Sequence, residues 1–299
     1  MGPTASGKTR RAVDVARAIG AEIISADSRQ VYRGMDIGTG KDLDEYGDVK
    51  YHLIDIADAG EKYNLYNYLR DYRAAVSDIE GRGRRIVVCG GTGMYVESAI
   101  NGLALPEVPE NRELREELSG KNLVELTEIL KGMKTLHNVT DVDTAKRAIR
   151  AIEIQKYYLD HPDLDPASNK ASKDEKERYV IVEVDIPREE RRRRITERLE
   201  RRMDEGMTKE VENLIASGVS PEALMYYGLE YKYVTMYVTG QLSARVMSEQ
   251  LQIAIHQFAK RQETWFRGME RRGHVLHRLP WDMGREEFVE SVKRLLGDQ

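Results

Sequence analysis

Apolar residues follow two different spacings along the first third of the chain. From residue 12 to residue 19 they recur every three to four positions, which predicts a helix that ends at Gly20. The same spacing predicts a second helix over residues 65–79. Three short continuous apolar runs predict buried strands, at residues 21–26, 52–56 and 86–89. Because strands alternate with helices, we predict an α/β fold with a parallel sheet that binds ligands at the carboxyl ends of its strands.

The pattern changes after Gly102, and the next strand signal comes only at residues 179–186. Charged amphipathic segments between them predict helices at residues 111–118, 123–130 and 143–158. We therefore predict an α/β core formed by residues 1–104 and 178–299, interrupted by a helical insertion domain at residues 105–177. Further helices and a last short strand are predicted at residues 188–202, 209–216, 246–267 and 274–279.

Residues 2–9 match the phosphate-loop motif G-x-x-x-x-G-K-[ST] at every fixed position. The glycines let successive backbone N–H groups point at phosphate oxygens, Lys8 adds a positive charge, and the Thr9 hydroxyl can bind Mg²⁺. The positive end of the following helix dipole also faces the anion. The alternative is a chance glycine-rich turn. The predicted core is therefore P-loop NTPase-like, and its loop consists of Gly2, Pro3, Thr4, Ala5, Ser6, Gly7, Lys8 and Thr9.

The segment before the phosphate loop is unusual. Such a loop ordinarily follows a buried strand, and only Met1 precedes Gly2 in this sequence. We therefore expect that this strand is either absent through truncation or supplied in an unusual way.

The charge composition does not predict a protein whose whole surface is positively charged. The chain has 299 residues, of which 33% are charged, and a formal net charge of −4. Nucleic-acid binding would then need a local basic patch. The single cysteine, Cys89, cannot form an internal disulfide, and neither an apolar leader nor an apolar run of about 18 residues occurs. We expect a cytoplasmic protein that does not span a membrane and has no cysteine zinc site.

Polar residues follow the predicted strands of the core, namely Asp27, Asp55 and Thr92. Asp27 could hold Mg²⁺ in an NTPase, act as a base or hydrogen-bond acceptor, or cap a helix or turn. Thr92 lies in the Gly-Gly-Thr-Gly run at residues 90–93. This run could bring a hydroxyl close to the phosphate loop, or it could form only a strand-to-helix turn.

Basic residues cluster on three predicted helices of this acidic chain. Residues 188–202 contain eight arginines and four glutamates, and smaller clusters occur at Arg147 with Arg150 and at residues 260–261. Each cluster is explained either by a solvent-exposed helix face with i,i+4 ion pairs or by contact with a polyanion. The tyrosines of residues 227–237 could stack on bases, but for most of them we expect packing between helix and sheet.

Several segments together resemble the tRNA dimethylallyltransferase family, whose members prenylate N6 of adenosine 37 beside the anticodon. The segments occur in the family's order and span nearly the whole chain. The segment that begins at Asp27 is far more specific than a phosphate loop. The similar segments are GPTASGKT (2–9), ADSRQVYRGMDIGTGK (26–41), HLIDI (52–56), GGTGMYV (90–96), RAIRAIE (147–153) and AKRQETWFR (259–267).

The resemblance implies a role for each residue of the predicted site. The phosphate loop would hold the diphosphate of dimethylallyl diphosphate, with Mg²⁺ bound through Thr9. Asp27 would accept a hydrogen bond from the adenine N6 amine and take its proton, while Thr92 would lie beside the scissile C–O bond. Arg194 and Arg198 align with the arginines that bind the diphosphate. The adenosine would leave its stack to reach Asp27.

The resemblance also implies a tRNA partner, which a monomeric protein would bind at the anticodon stem-loop. The helical insertion would hold the stem, and this would explain a basic helix in an acidic chain. The family commonly has a glycine where this sequence has Glu230. The positions similar to tRNA-contacting residues are Asp27, Ser28, Arg29, Gln30, Thr92, Arg115, Lys146, Arg147, Arg150, Tyr227, Tyr231 and Lys232.

Two other enzymatic functions stay open at this point. An adenylate prenyltransferase of the cytokinin type would share the loop and the chemistry but would act on free AMP, ADP or ATP. The insertion and its basic helix argue against it. A small-molecule P-loop kinase is supported by nothing in the sequence beyond residues 2–9 and an acidic strand end. Residues 44–47 match D-x-x-G, but the chain has no N-K-x-D motif, which argues against a GTP-dependent switch.

Overall fold

The computed structural model describes residues 1–103, 105–136, 140–164 and 179–297. The described residues form two compact units. The larger unit contains those within Met1–Gly102 and Lys173–Gln299, and the smaller unit contains those within Leu103–Ser172. The end of the predicted insertion, including the polar run at residues 168–176, lies outside the described residues.

The larger unit contains two small parallel sheets, which confirms the predicted α/β class. The strands are β1 (Ala21–Ser25), β2 (Tyr51–His52), β3 (Arg85–Cys89), β4 (Ile181–Asp185) and β5 (Leu276–Pro280). The first sheet has the order β2-β1-β3, and β4 pairs with β5 in the second. Since the register aligns Ser25 with Cys89, β1 and β3 end at the same edge of the first sheet.

The second predicted strand is shorter than its apolar run at residues 52–56. β2 ends at His52 because Leu53 and Asp55 adopt left-handed backbone conformations, with φ angles of 62° and 57°. A strand cannot continue through left-handed residues. The Asp55 N–H group instead donates to the Gln30 carbonyl at 3.1 Å. The prediction of a strand beyond His52 was wrong, because apolar spacing reports burial and not the sign of φ.

Helices account for most of the remaining described residues. α1 follows the phosphate loop and ends at Gly20, as predicted; Gly20 takes the left-handed conformation typical of a helix C-terminus. No helix in the described ranges is both long enough and apolar enough to cross a membrane. The helices are α1 (Lys8–Ile19), α2 (Leu65–Gly81), α3 (Gly93–Ile100), α4 (Arg112–Ser119), α5 (Leu123–Met133), α6 (Ala145–Asp160), α7 (Arg188–Asp204), α8 (Met207–Ala216), α9 (Pro221–Leu224), α10 (Leu229–Val238), α11 (Ala244–Arg271) and α12 (Arg285–Gly297).

The core of the larger unit surrounds the first sheet. Ile23 and Ile24 of β1 are fully buried, as expected for a parallel strand with helices on both faces. α1 packs against β1, β3 and α12, whereas α2 packs against β3 and α3. This packing places the phosphate loop, which leads into α1, beside the ends of β1 and β3.

The smaller unit is helical and has its own core. Asn111 and Asn122 cap α4 and α5, because their side chains accept hydrogen bonds from N–H groups of the first turn. That this unit contacts tRNA stays a prediction. Its core consists of Leu114, Leu118, Leu126, Leu130, Ala148 and Ile152.

Candidate active site

The phosphate loop leads into an uncapped helix N-terminus. Ala5 and Gly7 adopt left-handed conformations, with φ angles of 63° and 80°, and the Ser6 N–H donates to the Pro3 carbonyl at 3.3 Å. A left-handed alanine is uncommon, and such backbone strain collects at ligand sites. No side chain caps α1, and its first turn contains no acidic residue. The first N–H groups of α1 and its dipole therefore favour an anion.

Positive charge concentrates around this loop. Lys8 is the first residue of α1, and burial lowers the pKa of its ammonium group. Arg198 and Arg202 lower this pKa further, whereas Asp27 raises it. Ser6 Oγ is buried without a hydrogen-bond partner among the described residues. Cations that are partly or fully withdrawn from solvent, together with a buried polar atom that lacks a partner, form a site suited to a phosphate group.

Two arginines of α7 lie against the loop. Arg198 donates a hydrogen bond to Thr4 Oγ1. Arg194 lies beside Gly7, where a Cβ atom would be 3.8 Å from the arginine Nη1, and its guanidinium is 4.1 Å from the Trp281 ring centroid. The two arginines are four positions apart and so share one face of α7. The structure thus brings both of the arginines predicted from the sequence to the phosphate loop.

The common edge of β1 and β3 brings Asp27 close to Thr92. Thr92 Oγ1 accepts a hydrogen bond from the Ser28 N–H at 3.1 Å, and the Thr92 N–H donates to the Ala26 carbonyl at 3.2 Å. One carboxylate oxygen of Asp27 accepts the Arg29 N–H at 2.9 Å. These bonds fix the segment that contains Asp27 to Thr92 at the common edge of β1 and β3.

Gln262 of α11 joins the phosphate loop to the turn after β3. Its Oε1 accepts the Thr4 N–H and its Nε2 donates to the Gly91 carbonyl, both at 2.8 Å. The side chain is buried. No spacing in the sequence singles out this residue, although it lies within residues 259–267, one of the segments that carry the family resemblance.

Glu210 of α8 holds the loop that follows Asp27, and the sequence did not point to it either. The Tyr231 ring covers Gly38 in this loop, where a Cβ atom would be 2.6 Å from the ring. The Glu210 carboxylate accepts four hydrogen bonds, from the N–H groups of Asp36, Ile37 and Gly38, at 2.8, 2.8 and 3.1 Å, and from the Tyr231 hydroxyl, at 2.5 Å. Glu210 therefore ties α8 and α10 to the loop.

Lys41 secures the other end of the same loop. Its side chain is fully buried and donates to the Tyr32 carbonyl at 2.7 Å. It also pairs with Asp36 at 2.6 Å and with Asp55. Asp55, which the sequence places near a strand end, therefore serves as a counter-ion for a buried lysine.

Glu210→Gln is expected to loosen this loop. An amide offers one acceptor oxygen and turns an N–H₂ group toward the remaining donors, so we expect the loss of about two hydrogen bonds. At about 1 kcal/mol each, the unfolding free energy should fall by about 2 kcal/mol, and hydrogen exchange at Ile37 and Gly38 should accelerate. Glu212→Gln is the matched control, since Glu212 pairs with Lys209 at the surface. Equal effects of both variants would contradict the role of Glu210.

The three residues after Asp27 differ in their exposure. Ser28 and Arg29 are half-buried beside it. Gln30 is buried and donates to the Gly40 carbonyl at 3.0 Å. Of these three predicted tRNA contacts, Gln30 supports the loop from within the core, and the other two side chains are partly accessible.

The two tyrosines predicted to contact tRNA are buried. The ring centroids of Tyr227 and Tyr32 are 4.4 Å apart. The Tyr227 hydroxyl donates a hydrogen bond to the Glu61 carbonyl at 3.0 Å. Tyr231 bonds to Glu210, as described above. Packing, the alternative favoured for most of these tyrosines, is therefore what the structure shows for both rings. Contact of these two residues with tRNA stays a prediction. The neighbouring Lys232 is exposed.

Glu230 has a partner in this structure. Arg202 of α7 is buried and lies 3.8 Å from the Glu230 carboxylate. A Cβ atom on Gly40 would be only 1.5 Å from the same arginine. The Glu230 carboxylate therefore compensates the charge of an arginine that packs against the loop.

The cations predicted to contact tRNA in the smaller unit differ in their partners. Arg115 and Arg150 both pair with the buried Glu153. Burial would raise the Glu153 pKa, but the hydrogen bonds from these arginines lower it overall. Lys146 is exposed, and Arg147 makes an i,i+4 ion pair at the surface. Lys146 and Arg147 are thus the members of this set that present charge to solvent.

Known proteins match this chain over most of its length. A family model described as IPP transferase matches residues 30–269, and one described as Isopentenyl transferase matches residues 1–49. Similar curated proteins include tRNA dimethylallyltransferase 2 of Bacteroides fragilis, 53% identical over 99% of this chain and 96% of the relative. Another is tRNA dimethylallyltransferase 1 of Parabacteroides distasonis, 51% identical over 100% of this chain and 97% of the relative.

Solved structures show the same similarity. The tRNA delta(2)-isopentenylpyrophosphate transferase from Staphylococcus epidermidis is 28% identical, with a TM-score of 0.70, and the match covers 100% of this chain and 98% of that one. A eukaryotic dimethylallyltransferase acting on tRNA is 19% identical, with a TM-score of 0.78 over 98% of this chain and 76% of that one, and shares the fold. Since the IPP transferase model spans most of the chain and the curated relatives match it nearly from end to end, the chain belongs to the IPP transferase family.

Proposed function

We propose that the protein transfers the dimethylallyl group of dimethylallyl diphosphate to N6 of adenosine 37 in tRNA, which yields N6-dimethylallyladenosine and diphosphate. The observation that carries this proposal is the position of a cationic phosphate loop next to a carboxylate and a hydroxyl. Gln262 links Thr4 of the loop to Gly91, the residue before Thr92. A monomeric state and a cytoplasmic location stay predictions.

In this proposal the phosphate loop binds the leaving group. When the allylic C–O bond breaks, its electron pair stays on the diphosphate, whose negative charge grows. Lys8, Arg194, Arg198 and the loop N–H groups would therefore stabilise the transition state more than the ground state. Since the prenyl donor itself supplies the free energy, the transfer requires no ATP.

The acceptor side of the reaction would use Asp27. The adenine N6 atom attacks the allylic carbon, a C–N bond forms, and the N6 proton passes to the Asp27 carboxylate. The Arg29 N–H orients one of the carboxylate oxygens. The hydroxyl of Thr92 would lie beside the bridging oxygen of the leaving group. Adenosine 37 must leave its stack to reach these residues.

The loop also fits Mg²⁺ when a diphosphate is present. The Thr9 hydroxyl is a hard oxygen ligand, and diphosphate oxygens and water would complete the set, which suits the preferences of this ion. When bound, Mg²⁺ neutralises charge on the leaving group. In the described part of the chain, no group of three or more His, Cys, Asp or Glu side chains could hold a metal ion.

Mg²⁺ binding should therefore depend on the diphosphate. By calorimetric titration, we expect Mg²⁺ to bind in the presence of inorganic diphosphate, and Thr9→Val to weaken this binding. Thr127→Val, which removes a hydroxyl bonded within α5, is the control. Equal Mg²⁺ affinity with and without diphosphate would contradict the proposed site.

The smaller unit is proposed to hold the anticodon stem. Replacing Lys146 and Arg147 with alanine should remove about two phosphate contacts and lower the slope of log K against log salt by about 2. Arg150 is kept because it pairs with the buried Glu153. Lys131→Ala, an exposed cation of α5, is the control. An unchanged salt slope in the double variant would assign these residues to an ordinary solvated face.

The direct test uses labelled dimethylallyl diphosphate, unmodified tRNA and nucleoside analysis. Label recovered in N6-dimethylallyladenosine at position 37 supports the proposal. Transfer to AMP, ADP or ATP without transfer to tRNA would instead support the adenylate prenyltransferase. Formation of ADP from ATP with a metabolite acceptor, and no prenyl transfer, would support the kinase.

A further inference from the structure

The helices α7 and α11 form a cavity between them, on a side that does not face the phosphate loop. The two helices pack together, and the cavity has a volume of about 330 Å³, within the range of small-molecule sites. Arg192 of α7 lines it and is two positions from Arg194, which lies beside the loop. Lys260 of α11 lines it and is two positions from Gln262, which bonds to the loop. Since residues two positions apart do not share a helix face, the cavity is separate from the candidate active site.

The lining of this cavity is strongly positive. Five of its nine residues are arginine or lysine, and its one carboxylate belongs to Glu263. Glu263 forms an ion pair with the lining residue Arg191. Four positive charges therefore face the cavity without a carboxylate partner among the described residues. They belong to Arg188, Arg192, Lys260 and Arg267.

Arg193, next to Arg192 in α7, has the counter-ions that the cavity lacks. It is exposed and pairs with Glu190 and Glu197, three and four positions away. Arg188 and Arg192 are also four positions apart, but like charges at this spacing repel each other. The local pairing of an ordinary solvated helix face is thus missing on the side that lines the cavity. A concave surface lined by charges of one sign concentrates ions of the opposite sign.

Two of the lining groups are withdrawn from water. The Arg191 side chain is only 6% exposed, and burial lowers its pKa, as do the charges of Arg188 and Arg192. His256 Nε2 is buried without a hydrogen-bond partner among the described residues. Burial lowers the His256 pKa, Arg192 and Arg191 lower it further, and a hydrogen bond with the Arg192 backbone raises it. A buried polar atom without a partner is unfavourable, and an anion that shares a proton with this nitrogen would satisfy it.

The number of donors favours a phosphate monoester over a nucleic-acid backbone. A monoester has three acceptor oxygens and a charge of about −2 near neutral pH. A backbone diester has one charge and two free oxygens, and its two ester links keep it from entering a cavity deeply. Guanidinium groups match phosphate oxygens with paired hydrogen bonds. Several cations and a buried ring nitrogen in one cavity therefore suit a terminal phosphate.

We propose that this cavity is a second anion site, which binds inorganic phosphate or the terminal phosphate of a small monoester. Arg188 and Arg192 bind its oxygens from α7, and Lys260 and Arg267 bind them from α11. His256 Nε2 shares a proton with one phosphate oxygen. Because the ligand joins the two helices, it also stabilises the position of α7, whose other side carries the arginines of the phosphate loop.

The test follows the imidazole resonance of His256 by NMR, with His256→Gln to identify it. In chloride buffer, inorganic phosphate should shift this resonance saturably and raise the His256 pKa, because a nearby anion favours the imidazolium ion. Methyl phosphate should do the same, and dimethyl phosphate should bind at least about tenfold more weakly. Arg192→Gln should weaken phosphate binding at least about tenfold. Its matched control, Arg193→Gln, should change the affinity by less than about twofold, since Arg193 is a surface residue.

Four outcomes would overturn the proposal. The first is the absence of a saturable shift, and the second is equal weakening by the Arg192 and Arg193 substitutions. The third is an equal response to dimethyl phosphate or to an anticodon stem-loop RNA, which would make the cavity a nucleic-acid contact. The fourth is loss of the shift in Lys8→Met, which would place the ligand at the phosphate loop.

If Arg192→Gln does not fold, Arg188→Gln replaces it under the same criteria. None of these readouts depends on prenyl transfer, so this proposal can fail while the proposed function holds.

Discussion

Asp27→Asn is expected to reduce prenyl transfer to tRNA by about 10²–10⁴-fold, the range for loss of a general base. The amide cannot take the N6 proton, but its oxygen can still accept the Arg29 N–H that orients Asp27. The local backbone should therefore keep its conformation, and tRNA affinity should stay close to that of the parent protein. Single-turnover rates at saturating tRNA and donor measure the chemical step, and filter binding measures the affinity.

Asp48→Asn is the matched control for this substitution. Asp48 pairs with Arg17 at the surface, so its loss should leave the rate unchanged. A single-turnover rate in the Asp27 variant equal to that of the parent protein would show that another group takes the proton. A fall in tRNA affinity as large as the fall in rate would assign Asp27 to binding instead.

Lys8→Met is expected to lower turnover by about 10²–10³-fold, as the loss of a donor to a developing charge does, and to weaken diphosphate binding. Burial already lowers the pKa of the Lys8 ammonium, and a diphosphate would supply the charge-assisted hydrogen bonds that water does not. Methionine keeps an unbranched apolar stem in place of the lysine stem. Calorimetry with inorganic diphosphate and steady-state rates with tRNA test the two effects.

Lys62→Met is the control for the Lys8 substitution, since Lys62 is exposed in the larger unit. Its diphosphate affinity and turnover should match those of the parent protein. Unchanged diphosphate affinity in the Lys8 variant would rule out the proposed leaving-group site. A large loss of thermal stability in that variant would instead assign Lys8 a role in folding.

The apolar spacing located most elements of the fold. α1 ends at Gly20 as its stripe predicts, and β1 and β3 lie on the apolar runs that predict them. The prediction fails after His52. There Asp55 turns toward Lys41 and the backbone becomes left-handed. Contacts with another part of the chain decide this conformation, so no local pattern could have shown it.

The sequence identified only those residues of the candidate site to which a local motif or the family resemblance assigns a role. The phosphate loop is a local motif, and Asp27 lies in a specific segment. Gln262 and Glu210 hold groups that are 258 and 174 residues away in the chain. A glutamine or glutamate on a helix carries no signal of such a partner, so only the folded chain identifies them.

By itself, the sequence determined the α/β class, the phosphate loop and the family resemblance, because these depend on spacing and on short contiguous segments. The tertiary structure decided which charged and aromatic residues are accessible. Tyr227 and Tyr231 are buried, Arg150 pairs with a buried carboxylate, and Arg198 reaches the phosphate loop. Burial and ion pairing depend on which distant helices pack together, and a linear pattern does not contain that information.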